Sequence, residues 1–232
     1  TCFIGTGIPM LAASLAQNMH APNLISIFEF GGIGAQLKKL PLAVGDMRTF
    51  NNGLVAAGIC DIMEAGQCGF VDYGFLGGAQ IDMYGNLNST IIGDDHDKPK
   101  VRLPGSGGGN DVGSTCWQTI IIMQHGKRRF MPKIDFITTP GYLSGPGARE
   151  EAGLPPNTGP YRVVTDLCTL GIDERTKRMK LFALNTGITM NDVVDNTGFE
   201  VIISDKIEQN NKPSVEELRI LREEVYQDRY YI

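Results

Sequence analysis

The stretch Leu24-Ile25-Ser26-Ile27-Phe28-Glu29-Phe30-Gly31-Gly32 constrains the chain most: an almost wholly apolar run that ends on one carboxylate and two glycines. Four to eight apolar residues bounded by turn formers read as a buried strand of a parallel sheet. Glu29 then stands at the carboxyl end of that strand. In open α/β sheets the ligand crevice lies outside those ends, so an acid there is placed for chemistry, although a solvated strand-end glutamate fits the pattern equally.

The flanking segments extend the same reading. Cys2-Phe3-Ile4, the turn Gly5-Thr6-Gly7 and the run from Pro9 to Ala16 spell strand, tight turn and helix, with proline in the first helical turn. Gly5-Thr6-Gly7 opens like a dinucleotide fingerprint, but Met10 stands where the third glycine belongs, which argues against a nicotinamide cofactor. After Gly31-Gly32 a helix or irregular segment is expected through Lys38-Lys39 to Pro41, making a second βα unit and favouring a mostly parallel sheet. Residues 54–64 read as a helix ending at Gly66, and Phe70 to Leu76 as a strand running into Gly77-Gly78-Ala79-Gln80-Ile81-Asp82. Tyr84 to Asn88 is turn chemistry.

Several loops carry chemical possibilities. Leu103-Pro104-Gly105-Ser106-Gly107-Gly108-Gly109-Asn110 lets main-chain N–H groups converge; it fits an oxyanion hole, a phosphate cradle or a flexible loop. Asp94-Asp95-His96-Asp97 has metal-ligand residue types but no convergent spacing, and reads as a solvated loop. Lys127-Arg128-Arg129 is a basic turn that is either solvated or turned toward a ligand's phosphates. Strands are expected at 117–123 and 134–138. Pro140 to Pro160 is long and rich in Gly and Pro, which suggests a functional loop or a partner contact. Beyond it, residues 162–167 and 180–184 flank Gly171-Ile172-Asp173-Glu174 as an antiparallel hairpin. Helices follow that Thr189 with Asp192, and Ser214 with Glu217, can cap.

Composition excludes several classes. With 232 residues, 42% hydrophobic and 20% charged, and a net charge of −5, the chain is expected to form one globular domain over 1–232 with no field for nucleic acid and no membrane span. Five separated cysteines signal neither zinc nor a disulfide framework, so a cytoplasmic protein with reduced, mostly buried thiols is expected. The first strand has no lead-in, so part of the natural N-terminus is expected to be missing.

Taken in order and spacing, Gly5-Thr6-Gly7, Ala21-Pro22 before Glu29, Gly77 to Asp82 with Tyr84-Gly85-Asn86, Gly105 to Gly108, Lys127-Arg128-Arg129-Phe130-Met131 and Asn196-Thr197-Gly198-Phe199 resemble the β subunit of class I coenzyme A transferases, most closely the glutaconate CoA-transferase branch. The resemblance implies an open, mostly parallel α/β sheet with flanking helices and an antiparallel hairpin in the C-terminal third. It makes Glu29 the catalytic nucleophile and Gly107 and Gly108 oxyanion donors. It puts Phe30, Gly31, Gly77, Gly78, Ala79, Gln80, Gly105, Ser106, Gly109 and Asn110 near substrate or CoA. An α subunit, an acyl-CoA and a small (di)carboxylic acid are the implied partners, with coenzyme A as substrate and neither a metal nor another cofactor. Phe30 departs from the small or polar residue usual before the glycine, and could narrow the acyl pocket. The alternatives are an acyl-CoA hydrolase or decarboxylase on the same fold, in which Glu29 would be expected to be replaced, and a non-catalytic CoA-binding subunit.

Overall fold

Strand β1 (Cys2–Ile4) is buried along its whole length and pairs in parallel on both sides, with β2 (Ser26–Ile27) and β5 (Tyr73–Leu76). The structure, a computed structural model, describes residues 1–37, 39–227 and 229. Alternation along β1 and β2 sorts their side chains to two cores. Cys2, Ile4 and Phe28 pack with Met10, Leu11 and Ala13 of α1 (Ile8–Met19), whereas Phe3 and Ile27 face the other side, with Ile62 and Val112. Each such large apolar side chain contributes about 1.5–3 kcal/mol on full burial. Glu29 continues the parity of Ile27.

The main sheet has ten strands, in the order β14-β13-β12-β11-β10-β5-β1-β2-β3-β4. After β2 come β3 (Gly32–Ile33) and β4 (Val55–Ala56), both antiparallel, then α2 (Ile59–Gln67) leading to β5. Two small antiparallel ribbons follow, β6 (Gln80–Ile81) with β7 (Leu87–Asn88) and β8 (Ile91–Ile92) with β9 (Val101–Arg102). Helix α3 (Gly109–Thr115) returns the chain to β10 (Gln118–Ile122), which lies parallel between β5 and β11 (Pro160–Val164), with the short α4 (Ala148–Glu151) on the connection. The far side is β12 (Cys168–Ile172), β13 (Met179–Leu184), α5 (Met190–Asn196) and β14 (Ile202–Gln209), after which α6 (Val215–Ile220) returns to pack against α1.

The open sheet with a parallel centre is as expected, and several local expectations are corrected. The second βα unit does not form: β2 turns straight into β3, because Phe28 N–H donates to Gly32 O (2.9 Å) and Gly31 N–H to Phe28 O (2.9 Å). Of the segment expected to run through Lys38-Lys39, Lys38 lies outside the described residues. The expected helix over 54–64 starts only at Ile59, where the Asp61 carboxylate accepts the Gly58 N–H at 2.7 Å; the residues before it pair with β3. Residues 134–138 form no strand: the Asp135 N–H donates to the Gln80 side chain, the Thr138 N–H donates to Leu87 O while its hydroxyl accepts the Ser89 N–H, and the pairing there is the isolated bridge of Leu87 with Thr139. The C-terminal hairpin is a three-stranded meander: Gly171 and Ile172 belong to β12, and the turn is Asp173 to Arg178. The exposed, charge-rich β14 was not signalled by its composition. Both helix caps are as read, with Thr189 and Ser214 hydroxyls accepting the N–H groups of Asp192 and Glu217. All five cysteines are free thiols; Cys2, Cys116 and Cys168 are buried, Cys60 and Cys68 exposed.

The 140–160 connection is held by the chain itself. Arg149 is 2% exposed, and its guanidinium donates to the carbonyls of Pro140, Gly141, Gly113 and Ser114 and to the Thr158 hydroxyl at 2.7–3.2 Å. Gly113 and Ser114 are in the last turn of α3, so this buried cation satisfies carbonyls that have no intrahelical partner. Arg149→Met keeps the volume but strands those acceptors. We expect a loss of about 3 kcal/mol, read as a lower urea midpoint at unchanged slope.

Candidate active site

Glu29 occupies the tip of the tight turn that joins β2 to β3, and that turn depends on Gly31. Gly31 has φ +110°, and a β-carbon there would lie 1.9 Å from the Ala57 carbonyl oxygen, whose own N–H donates to Gly31 O at 2.9 Å. Only glycine permits this approach. The main chain around Glu29 is thereby fixed on both sides, and the carboxylate projects past the end of the sheet toward the start of α3.

There it meets the glycine loop. An ideal β-carbon on Gly107 would stand 3.5 Å from Glu29 Oε2, and one on Gly108 would stand 3.3 Å from Glu29 Cδ and 2.6 Å from the Met63 methyl. Side chains at these positions would fill the space in which main chain and carboxylate now face each other. The loop is hung from the neighbouring ribbon, with Leu103 N–H donating to Thr90 O and Gly105 N–H to Ser89 O, both at 2.9 Å. Gly109 N–H closes a turn onto Ser106 O (2.8 Å), while among the described residues the Gly107 N–H has no acceptor. Gly74 lets α3 lie against β5, since a β-carbon there would be 2.4 Å from Val112 Cγ1.

Electrostatics favour a carboxylate whose protonation lies above the ordinary range. Burial raises the Glu29 pKa most, the Gly108 N–H hydrogen bond lowers it, and the negative charge of Asp111 raises it again. A half-desolvated carboxylate is a better nucleophile than a hydrated one, provided it is ionised.

The carboxylate opens on a cavity of about 560 Å³, whose wall includes Glu29, Gly77, Gly78, Ala79 and the loop from Gly105 to Gly109. Phe30, Gly31, Gln80 and Asn110 are not on that wall. Phe30 is 54% exposed with its ring against Gly45, so it does not narrow the cavity, and Gly31 is buried in the turn. Gln80 is 3% exposed and spent: it donates to Asp135 Oδ2 and accepts from Asn88 Nδ2 and Asp135 N–H. Asn110 donates to Thr138 O. These two hold the ribbons that carry the loop. Asn86 and Asp82 act alike: Asn86 bonds Asp82, Gly141 and Leu143, and burial raises the Asp82 pKa despite three donors. Reading the sequence missed Thr6, Ser89, Thr139 and Arg129 on the cavity wall. Arg129 had a signal, the basic turn, whereas the small polar residues had none. Residues 94–97 are exposed, and the Asp95 carboxylate is occupied by the N–H groups of Asp97 and Lys98.

Comparison with known proteins bears on this arrangement directly. Residues 1–196 match the family described as coenzyme A transferase. The chain belongs to that family. This CoA-transferase chain is 43% identical over 227 residues, 96% of its length and 84% of the relative's, to the B subunit of glutaconate CoA-transferase from Acidaminococcus fermentans. It is 36% identical over 222 residues to the B subunit of 3-oxoadipate CoA-transferase from Pseudomonas knackmussii, covering 95% and 85% of the two. The crystal structure of glutaconate coenzyme A-transferase from Acidaminococcus fermentans superposes with a TM-score of 0.92 at 39% identity, covering 100% of this CoA-transferase chain and 90% of that one. The expected CoA-transferase fold is thus present, and the chain is an enzyme subunit of the B type. Among the described residues no helix is long and apolar enough to cross a membrane.

The charge on Asp111 offers a test of the local field. Asp111→Asn removes a contribution that raises the Glu29 pKa, so the Glu29 titration, followed by carboxyl ¹³C NMR, should move to lower pH. No movement, or a move upward, would show that Asp111 does not act on Glu29.

Proposed function

We propose that this subunit transfers coenzyme A between an acyl-CoA thioester and a small (di)carboxylic acid such as glutaconate, in a ping-pong reaction through a glutamyl-CoA thioester on Glu29. The observation that carries this is the Glu29 carboxylate at the end of β2, faced by the main chain of Gly107 and Gly108 across a cavity. The named substrates of the two relatives, glutaconate and 3-oxoadipate, are both dicarboxylates, which supports the choice of acid.

The Glu29 carboxylate attacks the thioester carbonyl; the C–S bond breaks and leaves an acyl-glutamyl anhydride and CoA thiolate. The thiolate then attacks the glutamyl carbonyl, forming the enzyme-CoA thioester and releasing the first acid as its carboxylate. The second acid reverses both steps and restores the Glu29 carboxylate. Each addition puts negative charge on a carbonyl oxygen, and in this reading the Gly107 and Gly108 N–H groups receive it. One such donor is typically worth about 3 kcal/mol of barrier. The rigid turn at Gly31 keeps the nucleophile aimed, so little orientation has to be found during attack.

An α subunit completes the enzyme in this reading, consistent with relatives that are each named as one lettered subunit of their enzyme. Phe30, Leu42, Met47, Leu54, Val55 and Ile59 are all exposed apolar residues of one segment, on and beside the β3–β4 edge next to Glu29. A concentration of exposed apolar side chains beside an unpaired sheet edge suits a partner surface. Leu54→Glu should therefore weaken co-purification with the α subunit at least tenfold, measured as the pull-down midpoint, and retained affinity would place the partner elsewhere.

Glu29→Gln is nearly isosteric but cannot form the anhydride. We expect more than a hundredfold loss of transfer by the assembled enzyme, a barrier increase of at least about 2.7 kcal/mol. Wild-type enzyme given acyl-CoA without acceptor should gain the mass of CoA on Glu29, removable by hydroxylamine. An adduct at another residue, or retained activity in the variant, would refute Glu29 as nucleophile.

A further inference from the structure

Glu29 and Arg129 are the two ionisable residues on the cavity wall. Lys127 and Arg128, its neighbours in the basic turn, are exposed, whereas Arg129 is half-buried. Among the described residues no carboxylate pairs with it; its side-chain partner is Gln124, whose Oε1 accepts from Nη2 at 3.3 Å. A guanidinium has five donors in a planar fork, and one weak bond to a neutral acceptor leaves most of that capacity open. A second carboxylate matches such a fork in charge and shape.

The turn that presents Arg129 is rigid. Its N–H donates to Gly126 O at 2.8 Å and its carbonyl accepts the Ile81 N–H at 2.7 Å, so the residue is tied to the ribbon that carries Gly77 to Ala79. Next to it, buried Phe130 stacks on His125 with ring centres 3.9 Å apart and planes 3° from parallel. His125 is bonded through its two ring nitrogens to the hydroxyls of Thr165 (3.1 Å) and Thr197 (2.9 Å). Burial holds the His125 imidazole neutral, with its pKa lowered to about 4, so the positive charge at this wall is that of Arg129.

Resting on the transferase reading, we infer that Arg129 binds the second, non-reacting carboxylate of a dicarboxylic acyl substrate and so sets the preference for diacids over monoacids. The nucleophile and the cation are separate groups on one cavity wall: among the described residues no ion pair joins them, and the Arg129 side chain bonds Gln124. A short diacid has the corresponding layout, one carboxyl to be activated and another held apart from it. CoA also carries anionic groups, but its phosphates lie beyond the whole pantetheine arm from the thioester, whereas Arg129 shares the cavity with the nucleophile.

The test compares the two-subunit enzyme with Arg129→Leu and Arg129→Lys, using acetyl-CoA as donor and, as acceptors, a diacid and the monoacid of equal chain length. The diacid-to-monoacid ratio of kcat/KM should fall roughly 10- to 100-fold in Arg129→Leu, the span of a charge-assisted hydrogen bond. Arg129→Lys, which keeps the charge but loses the fork, should fall less. Because the turn is fixed by main-chain bonds, Arg129→Leu removes from the fold the 3.3 Å side-chain bond to exposed Gln124 and leaves those ties in place, and the lysine variant serves if the leucine one does not assemble. An unchanged ratio would overturn the inference, as would a rise in the KM for acetyl-CoA that weakens both acids equally, since the cation would then meet a CoA phosphate. A wild-type enzyme that forms the CoA adduct but shows no preference for diacids would refute the role of Arg129 alone; one that forms no adduct would refute the transferase reading beneath it.

Discussion

The structure depends on one close approach, that of bare main chain at Gly107 and Gly108 to the Glu29 carboxylate. A side chain at either position would occupy the gap. In water the carboxylate would be hydrated and the amide groups bonded to solvent. Here the two are brought together in a partly desolvated cleft, and each group's electrostatic effect on the other grows as the local dielectric falls. The competition shows in the opposing influences on Glu29: burial raises its pKa and the Gly108 N–H lowers it.

Much of the remaining chain holds the two sides of that gap in place. On one side, Gly31 lets β2 turn sharply against Ala57, so the strand ends where Glu29 begins. On the other, α3 is pressed onto β5 through Gly74 and Val112, and its last carbonyls are tied by Arg149 to the connection between β10 and β11. The polar stretch from Gln80 to Thr90 supports the loop from behind, through Asn88, Asp135 and Thr138. Buried polar networks of this kind are costly unless fully satisfied, and satisfied they fix one geometry. The site is therefore built on strands and short ribbons, with few soft degrees of freedom between the nucleophile and the facing amides.

The division between cavity wall and support also explains why similar sequence signals have different fates. Gln80 and Ala79 are adjacent, yet Ala79, in the bend before β6, lines the cavity, whereas Gln80, in β6, is buried among side-chain partners. The turn after β2 likewise separates Glu29, on the cavity wall, from the exposed Phe30. Within Lys127-Arg128-Arg129 only Arg129 reaches the wall, since its main chain is bridged to Ile81 while its neighbours lie on the outside of the turn.

What the sequence by itself determined is local and periodic. The buried β1, α1 with its early proline, the strand ending at Glu29, the caps at Thr189 and Ser214, and the glycine loop are all legible because apolar alternation, capping chemistry and glycine content act over a few residues. Only the tertiary structure decided what depends on distant partners. It opened the expected helix at residue 54 into an edge strand paired with β3, left residues 134–138 without a ladder, the Asp135 N–H going to the Gln80 side chain and the Thr138 N–H to Leu87 O, and put β12 between the two expected hairpin strands. It also made Arg149 a buried tie and Arg129 a cavity cation, two arginines whose different roles follow from which backbone carbonyls and which empty space the folded chain sets around them.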